Sequence, residues 1–135
     1  MTVLVDTSII VDHLRNDPRA VNLMTVLMER QDRVWAATPT RTEILAGLRL
    51  REVEPMAKLF AVLSWVDIDT VIADAAGELA RTYRRSHRSI DTVDYLIAAA
   101  AQSVGAALLT LNVRHFPMFA GLEPPYSPSE GRRVE

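Results

Sequence analysis

The sequence predicts an α/β fold: an α/β/α sandwich around a central, mostly parallel sheet. Three observations predict it. Short apolar runs of strand length alternate with longer segments whose apolar residues recur at helical spacing. The first run, residues 2–5 (TVLV), ends abruptly at Asp6, as expected of a strand buried on both faces. Strands alternating with helices imply parallel pairing, with both faces of the sheet covered.

Each element has its own warrant. After residues 2–5, Ser8 to Arg15 reads as helix, and Pro18 can open another through about Arg30. Val34 to Ala37, with Trp35, is a second strand. Thr38, Pro39 and Thr40 are helix-start residues, followed by Ile44, Leu45 and Leu48 at helical spacing. Pro55 opens a helix through Leu63, and Trp65 to Ile68 forms a short strand. Ile72 to Arg85 places Ile72, Ala76, Leu79 and Tyr83 on one face. A helix from about Asp91 to Val104 and a strand over residues 107–110 complete the series.

The chain has 135 residues, which fits one domain, with residues 1–126 as the domain and 127–135 as a polar C-terminal tail. It has no cysteine, which excludes a disulfide framework, a thiolate zinc site and a cysteine nucleophile, and suits a reducing, cytoplasmic setting. Fifteen basic residues against 17 acidic ones argue against binding nucleic acid through bulk positive charge. Two stretches imitate membrane signals. Met1 to Val11 is apolar, but Asp6 interrupts it and no basic residue precedes it. The uncharged run from Tyr95 to Val113 contains Gln102, Gly105 and Asn112, and reads as a buried helix, a turn and a strand.

Acidic residues at element ends carry the candidate chemistry, each with a structural alternative. Asp6 follows the first strand and is either a helix cap or part of a site. Glu43 lies three residues after Thr40, the spacing of a capping box. Asp91 and Asp94 are three apart, so they can share a cation, or one can cap while the other works. Asn112 is a turn residue or a ligand, and His115 reads as a surface histidine. In a parallel sheet Asp6, Glu43, Asp94 and Asn112 can face the same edge. Clustered carboxylates repel unless a cation neutralises them, and oxygen-only ligands suit Mg²⁺, or Mn²⁺ in its place. Such a site suits phosphodiester hydrolysis.

The blocks VLVDTSIIVDHLR, TEILAGL, DYLIAAAA and LLTLNVRHF, in this order and spacing, resemble the PIN-domain ribonucleases, specifically the VapC toxins of VapBC type II toxin–antitoxin systems. The resemblance implies a PIN-like sandwich and Mg²⁺-dependent RNA cleavage that inhibits translation and growth until a VapB-type antitoxin wraps the toxin. It also implies a homodimer. By the same resemblance Asp6, Glu43 and Asp94 are the catalytic and metal-binding acids. Ser8 supports them through hydrogen bonds, and Asp91 is a helper or cap. The sequence departs from the pattern at the fourth acidic position, where Asn112 stands and adds no charge.

The substrate needs a basic surround. Arg81, Arg84, Arg85 and Arg88 would form one helical stripe, either a solvated face or a phosphate-gripping edge for RNA, with Arg41 and Arg114 beside the acids. Residues 44–63 offer a groove for an apolar antitoxin helix. Two alternatives compete: a catalytically weak PIN module that binds RNA or a partner, and a haloacid-dehalogenase-like phosphatase. The phosphatase needs a second Asp where Ser8 stands.

Overall fold

The structure is a computed structural model that describes residues 2–30 and 33–128; residues 129–135 of the expected tail lie outside the described residues. Four strands, β1 (Thr2–Val5), β2 (Arg33–Ala37), β3 (Ser64–Val66) and β4 (Ala107–Leu109), form one sheet in the order β3-β2-β1-β4. All its pairings are parallel. The chain steps outward from β1 to β2 to β3, then crosses back to place β4 on the other side of β1. That reversal puts a topological switch point beside the carboxyl end of β1, where open α/β sheets bind ligands.

Six α-helices cover the sheet among the described residues: α1 (Thr7–Leu14), α2 (Pro18–Glu29), α3 (Thr38–Ala46), α4 (Val53–Val62), α5 (Thr70–Tyr83) and α6 (Thr92–Ser103). Strand alternation sorts the core into two halves. Val3, Val5, Val34 and Ala36 pack with Ile9, Ile10, Met24, Leu59 and Phe60 of α1, α2 and α4. Leu4 and Ala37 pack on the opposite face with Ile72, Ala76 and the buried side of α6. The sandwich expected from the alternating pattern is therefore present, with a fully parallel sheet.

Local chemistry sets the element ends. Asn16 takes φ 61° after α1, and the Asp17 and Asn16 amides donate to Asp12 and His13 carbonyls at 3.0 and 3.1 Å. Gly105 does the same after α6 with φ 63°, Ala106 and Gly105 donating to Ala101 and Gln102 carbonyls at 2.9 and 3.2 Å. Both are left-handed helix stops, which asparagine and glycine tolerate. The run from Tyr95 to Val113 is thus a helix, a turn and a strand. No helix among the described residues is long and apolar enough to cross a membrane.

Three elements shift by two residues at a boundary. α4 starts at Val53, since a short 3₁₀ turn (Leu50–Glu52) leads into it and Pro55 sits in the first turn, where no N–H is needed. β3 is the segment Ser64–Val66, because the Ile68 amide turns away to the Thr38 hydroxyl at 3.4 Å. α5 ends at Tyr83, two residues early.

Ala98, Ala99, Ala100 and Ala101 are all at most 2% exposed, so α6 lies close against its neighbours with no room for a longer side chain. Ala100→Leu is expected to destabilise the fold by about 1–3 kcal/mol through overpacking, read as a lower urea midpoint at unchanged slope.

Candidate active site

Asp6 ends β1, and its side chain is almost fully buried at 3% exposure. Ser8 and Thr110 hydroxyls donate to its Oδ2 at 2.9 and 2.7 Å. Each hydroxyl in turn accepts a backbone amide: Leu111 N–H reaches Ser8 Oγ at 3.2 Å, and Asn112 N–H reaches Thr110 Oγ1 at 3.0 Å. These relays polarise the hydroxyls toward the carboxylate. Burial nevertheless pushes the Asp6 pKa above its ordinary value, against the bonds from Thr110 and Ser8 and the nearby Thr7 and Ser8 amides. Asp6 occupies the N-cap position of α1 but makes no side-chain capping bond, so its reading as a helix cap fails.

Glu43 projects from α3. The capping box expected for Thr40 and Glu43 does not form, because α3 begins at Thr38 with Ala37 at its N-cap. Thr40 is therefore inside the helix, and Glu43 lies too far along to reach back to the first amides. Its Oε1 instead accepts the Thr7 hydroxyl at 2.6 Å, and that hydroxyl also stands 2.9 Å from Thr40 Oγ1. Burial raises the Glu43 pKa; the Thr7 bond opposes this, and the charges of Asp6 and Asp91 add to it.

Asp91 and Asp94 open α6 as a reciprocal capping box. Asp94 N–H donates to Asp91 Oδ1 at 3.0 Å, and Asp91 N–H donates to Asp94 Oδ2 at 3.2 Å. Asp94 Oδ2 also lies 3.1 Å from His115 Nδ1. Burial pushes the Asp94 pKa up to about 7; the Asp91 amide resists, while the charges of Asp91 and Asp6 reinforce the rise. The mutual influence of Asp6, Glu43, Asp91 and Asp94 places the four acids in one electrostatic neighbourhood.

The three principal carboxylates share one pattern. Asp6 Oδ2, Glu43 Oε1 and Asp94 Oδ2 are held by side-chain donors, while no side chain among the described residues donates to the second oxygen of any of them. Among the described residues no three Asp, Glu or His side chains are placed to hold a metal ion together. A complete cage is not what Mg²⁺ requires: it keeps several waters and binds through one or two carboxylates. The all-oxygen donor set and the upward-shifted acids fit such an ion.

The remaining sequence candidates divide. Asn112 contributes its backbone amide to Thr110 and precedes a 3₁₀ turn, Val113–His115. His115 is buried, not on the surface, and it reaches Asp94 because that turn folds it back under α6. The arginine stripe is broken, since α5 ends before Arg84. Arg81 stays on the helix and pairs with Glu78 at 3.0 Å in solvent. Arg84, Arg85 and Arg88 move into the following loop, where with Ile90 they line an open cleft of about 580 Å³ just ahead of Asp91. None of these three pairs with an acid among the described residues. Arg41 turns away from the acids and stacks over Phe60 and Trp65, its guanidinium carbon 4.7 and 4.9 Å from the ring centroids.

Thr7, Thr110 and His115 were the functional side chains sequence reasoning missed. Thr110 and His115 sit in the LLTLNVRHF block, but nothing local distinguishes them from strand-end and surface residues. The apolar groove expected over residues 44–63 also shifts: Ile44 is core, and a groove of about 560 Å³ opens between α2 and α4, lined by His13, Met24, Met28, Lys58, Leu59 and Val62.

Comparison with known proteins agrees with this geometry. The PIN domain family model matches residues 3–121. The chain is 50% identical to Ribonuclease VapC19 of Mycobacterium tuberculosis over 123 residues, covering 91% of this chain and 98% of the relative. It is 39% identical to Ribonuclease VapC10 of the same organism over 126 residues, 93% of each. Among solved structures it resembles a toxin–antitoxin complex from Klebsiella pneumoniae, with TM-score 0.76, 21% identity and coverage of 93% and 99%. It also resembles VapBC2 of Rickettsia felis bound to a promoter DNA fragment, with TM-score 0.76, 20% identity and coverage of 90% and 96%. At those identities the two structures speak for the fold alone. The phosphatase alternative finds no support, since Ser8 commits its hydroxyl to Asp6. The buried strand-end aspartate, the two helix-borne acids facing it and the match along most of the sequence have one common account: the chain belongs to the PIN-domain family, among the VapC ribonucleases.

Proposed function

We propose that this chain is a Mg²⁺-dependent endoribonuclease, with Mn²⁺ as a substitute, acting as the toxin of a type II toxin–antitoxin pair. The observation that carries the proposal is the trio Asp6, Glu43 and Asp94, each held through one oxygen and each raised above its ordinary pKa by burial. The relatives named as ribonucleases support RNA as the substrate. When bound, the cation would activate a water and stabilise charge on the phosphate and the departing oxygen.

Asp6, Glu43 and Asp94 are the carboxylates from which the cation would take its protein ligands, with water completing its shell. Ser8, Thr110 and Thr7 keep the anchored oxygens in place, so little reorganisation is needed as the site loads. Asn112, in the position where an Asp would add a further charge, leaves a three-carboxylate core. Such a core favours one firmly held ion over two. Asp91 completes the cap of α6 and adds negative potential from the rim. Arg84, Arg85 and Arg88, which pair with no acid among the described residues and line the cleft ahead of Asp91, are suited to gripping flanking phosphates bidentately. Arg81, tied to Glu78, contributes long-range charge only.

A VapB-type antitoxin is the proposed partner. Structural neighbours were solved as toxin–antitoxin complexes, and the α2–α4 groove offers the apolar bed that an amphipathic helix fills. Homodimerisation, a cytoplasmic setting and inhibition of translation and growth belong to the same reading.

Three outcomes test it. Asp6→Asn should lower RNA cleavage by more than about 100-fold, since losing even an outer partner of a metal costs about 10–100-fold. The variant should keep the wild-type circular dichroism spectrum, because Asn still offers one oxygen to Ser8 and Thr110. Full cleavage by this variant would remove the mechanism.

Replacing Arg84 and Arg85 by alanine should weaken RNA binding. The slope of log affinity against log salt should fall by about 0.7 for each phosphate that is no longer neutralised. An unchanged slope would return these residues to solvation.

The acids whose pKa is raised set the pH dependence. A carboxyl that holds its proton more tightly when folded favours the fold at low pH. That advantage is lost as pH climbs from the unfolded value toward the folded one. For Asp94 the window runs from 3.8 to about 7. The metal-free melting temperature should therefore fall between pH 5 and pH 7.5, and Asp94→Asn should flatten that fall. Mg²⁺ must displace the same proton, so the Mg²⁺ concentration giving half-maximal cleavage should drop between pH 6 and pH 8.

A further inference from the structure

We propose that His115 is a positioning residue that sets which oxygen of Asp94 faces the reaction centre; this rests on the metal-dependent reading above. Asp94 Oδ2 is fixed from two directions, by Asp91 N–H at 3.2 Å and by His115 Nδ1 at 3.1 Å. With Oδ2 so occupied, the carboxylate cannot rotate about its terminal bond without breaking both interactions, and Oδ1 is left as the free donor.

The histidine sits in a closed, packed setting. Its side chain is 5% exposed, and Nε2 is buried without a hydrogen-bond partner. An unsatisfied buried polar atom is a cost that an apolar side chain would avoid. The neighbouring Phe116 is fully buried, so an apolar residue at 115 would suit its surroundings better. The retained imidazole is accounted for by what Nδ1 does for Asp94.

The placement also links two acids through one segment. Thr110 and His115 flank Asn112, and while Thr110 holds Asp6, His115 holds Asp94. The position where a fourth acid would add charge is thus spanned by two side chains that orient the acids already present. Outer-sphere partners of this kind typically carry about 10–100-fold in metal affinity.

The test compares two polar substitutions in the full chain. Asn places an amide N–H near the site of Nδ1, whereas Gln carries it to the site of Nε2. Mn²⁺ binding is measured by isothermal titration calorimetry without RNA, alongside thermal melting. His115→Gln should weaken Mn²⁺ binding by about tenfold, and His115→Asn should stay within about threefold of wild type. A Gln variant that binds like wild type would overturn the proposal. So would Asn and Gln variants that are equally weak and melt early, which marks a packing role. Asp6→Asn is the control: if wild type shows no Mn²⁺ heat, the metal reading itself fails, whereas wild-type binding with an unaffected Gln variant overturns only the role of His115.

Discussion

Asp6 sits at the end of the central strand, at 3% exposure, where an ionised group without partners would cost several kcal/mol, and satisfying that one carboxylate governs what surrounds it. Two hydroxyls from sequence-distant places meet it, and each is fed by a backbone amide of the segment after β4. The pairing of β4 with β1 is what brings them together: Asp6 N–H donates to Leu109 O at 2.9 Å, one residue before Thr110. Strand order, the switch point and the position of the site are therefore one arrangement seen at three scales.

The partners satisfy Asp6 only in part, and the same is true of Glu43 and Asp94. All three carboxyls sit above their ordinary pKa, with burial as the leading cause. A protein optimised for stability alone would not gather acids in this way, and such tension is characteristic of sites whose ligand resolves it. The surrounding scaffold is correspondingly rigid. Two helix stops, an alanine-packed α6 and cores on both sides of the sheet leave the acids little freedom to drift apart.

Much of this was legible in the sequence, for definable reasons. The burial of β1 on both faces follows from the unbroken apolar run Val3, Leu4 and Val5, and α6 from the alanine run closed by Gly105. Asp6 and Asp94 stand at element ends, which local patterns mark well. What stayed hidden depends on chain segments far apart in sequence. Thr110 looks like any β-branched strand residue, and its role appears only once β4 lies beside β1. His115 reads as a surface residue until a single 3₁₀ turn folds it under α6. Two local patterns also misled. Thr40 and Glu43 have capping-box spacing, but Pro39 belongs to the first turn of a helix that had already begun at Thr38. The arginine stripe assumed that α5 continues through Arg88, whereas it stops at Tyr83 and releases three arginines into a loop.

The central position of β1 has a temporal consequence. Thr110 follows Asp6 by 104 positions in the chain. At cellular synthesis rates that interval is about 5–20 s. Throughout it the nascent chain can form β1, β2 and their helices while Asp6 still lacks its partner from β4. Only when β4 leaves the ribosome and docks does the acidic centre close. The fold thereby delays assembly of the acidic centre until Thr110 has been made and β4 has docked beside β1.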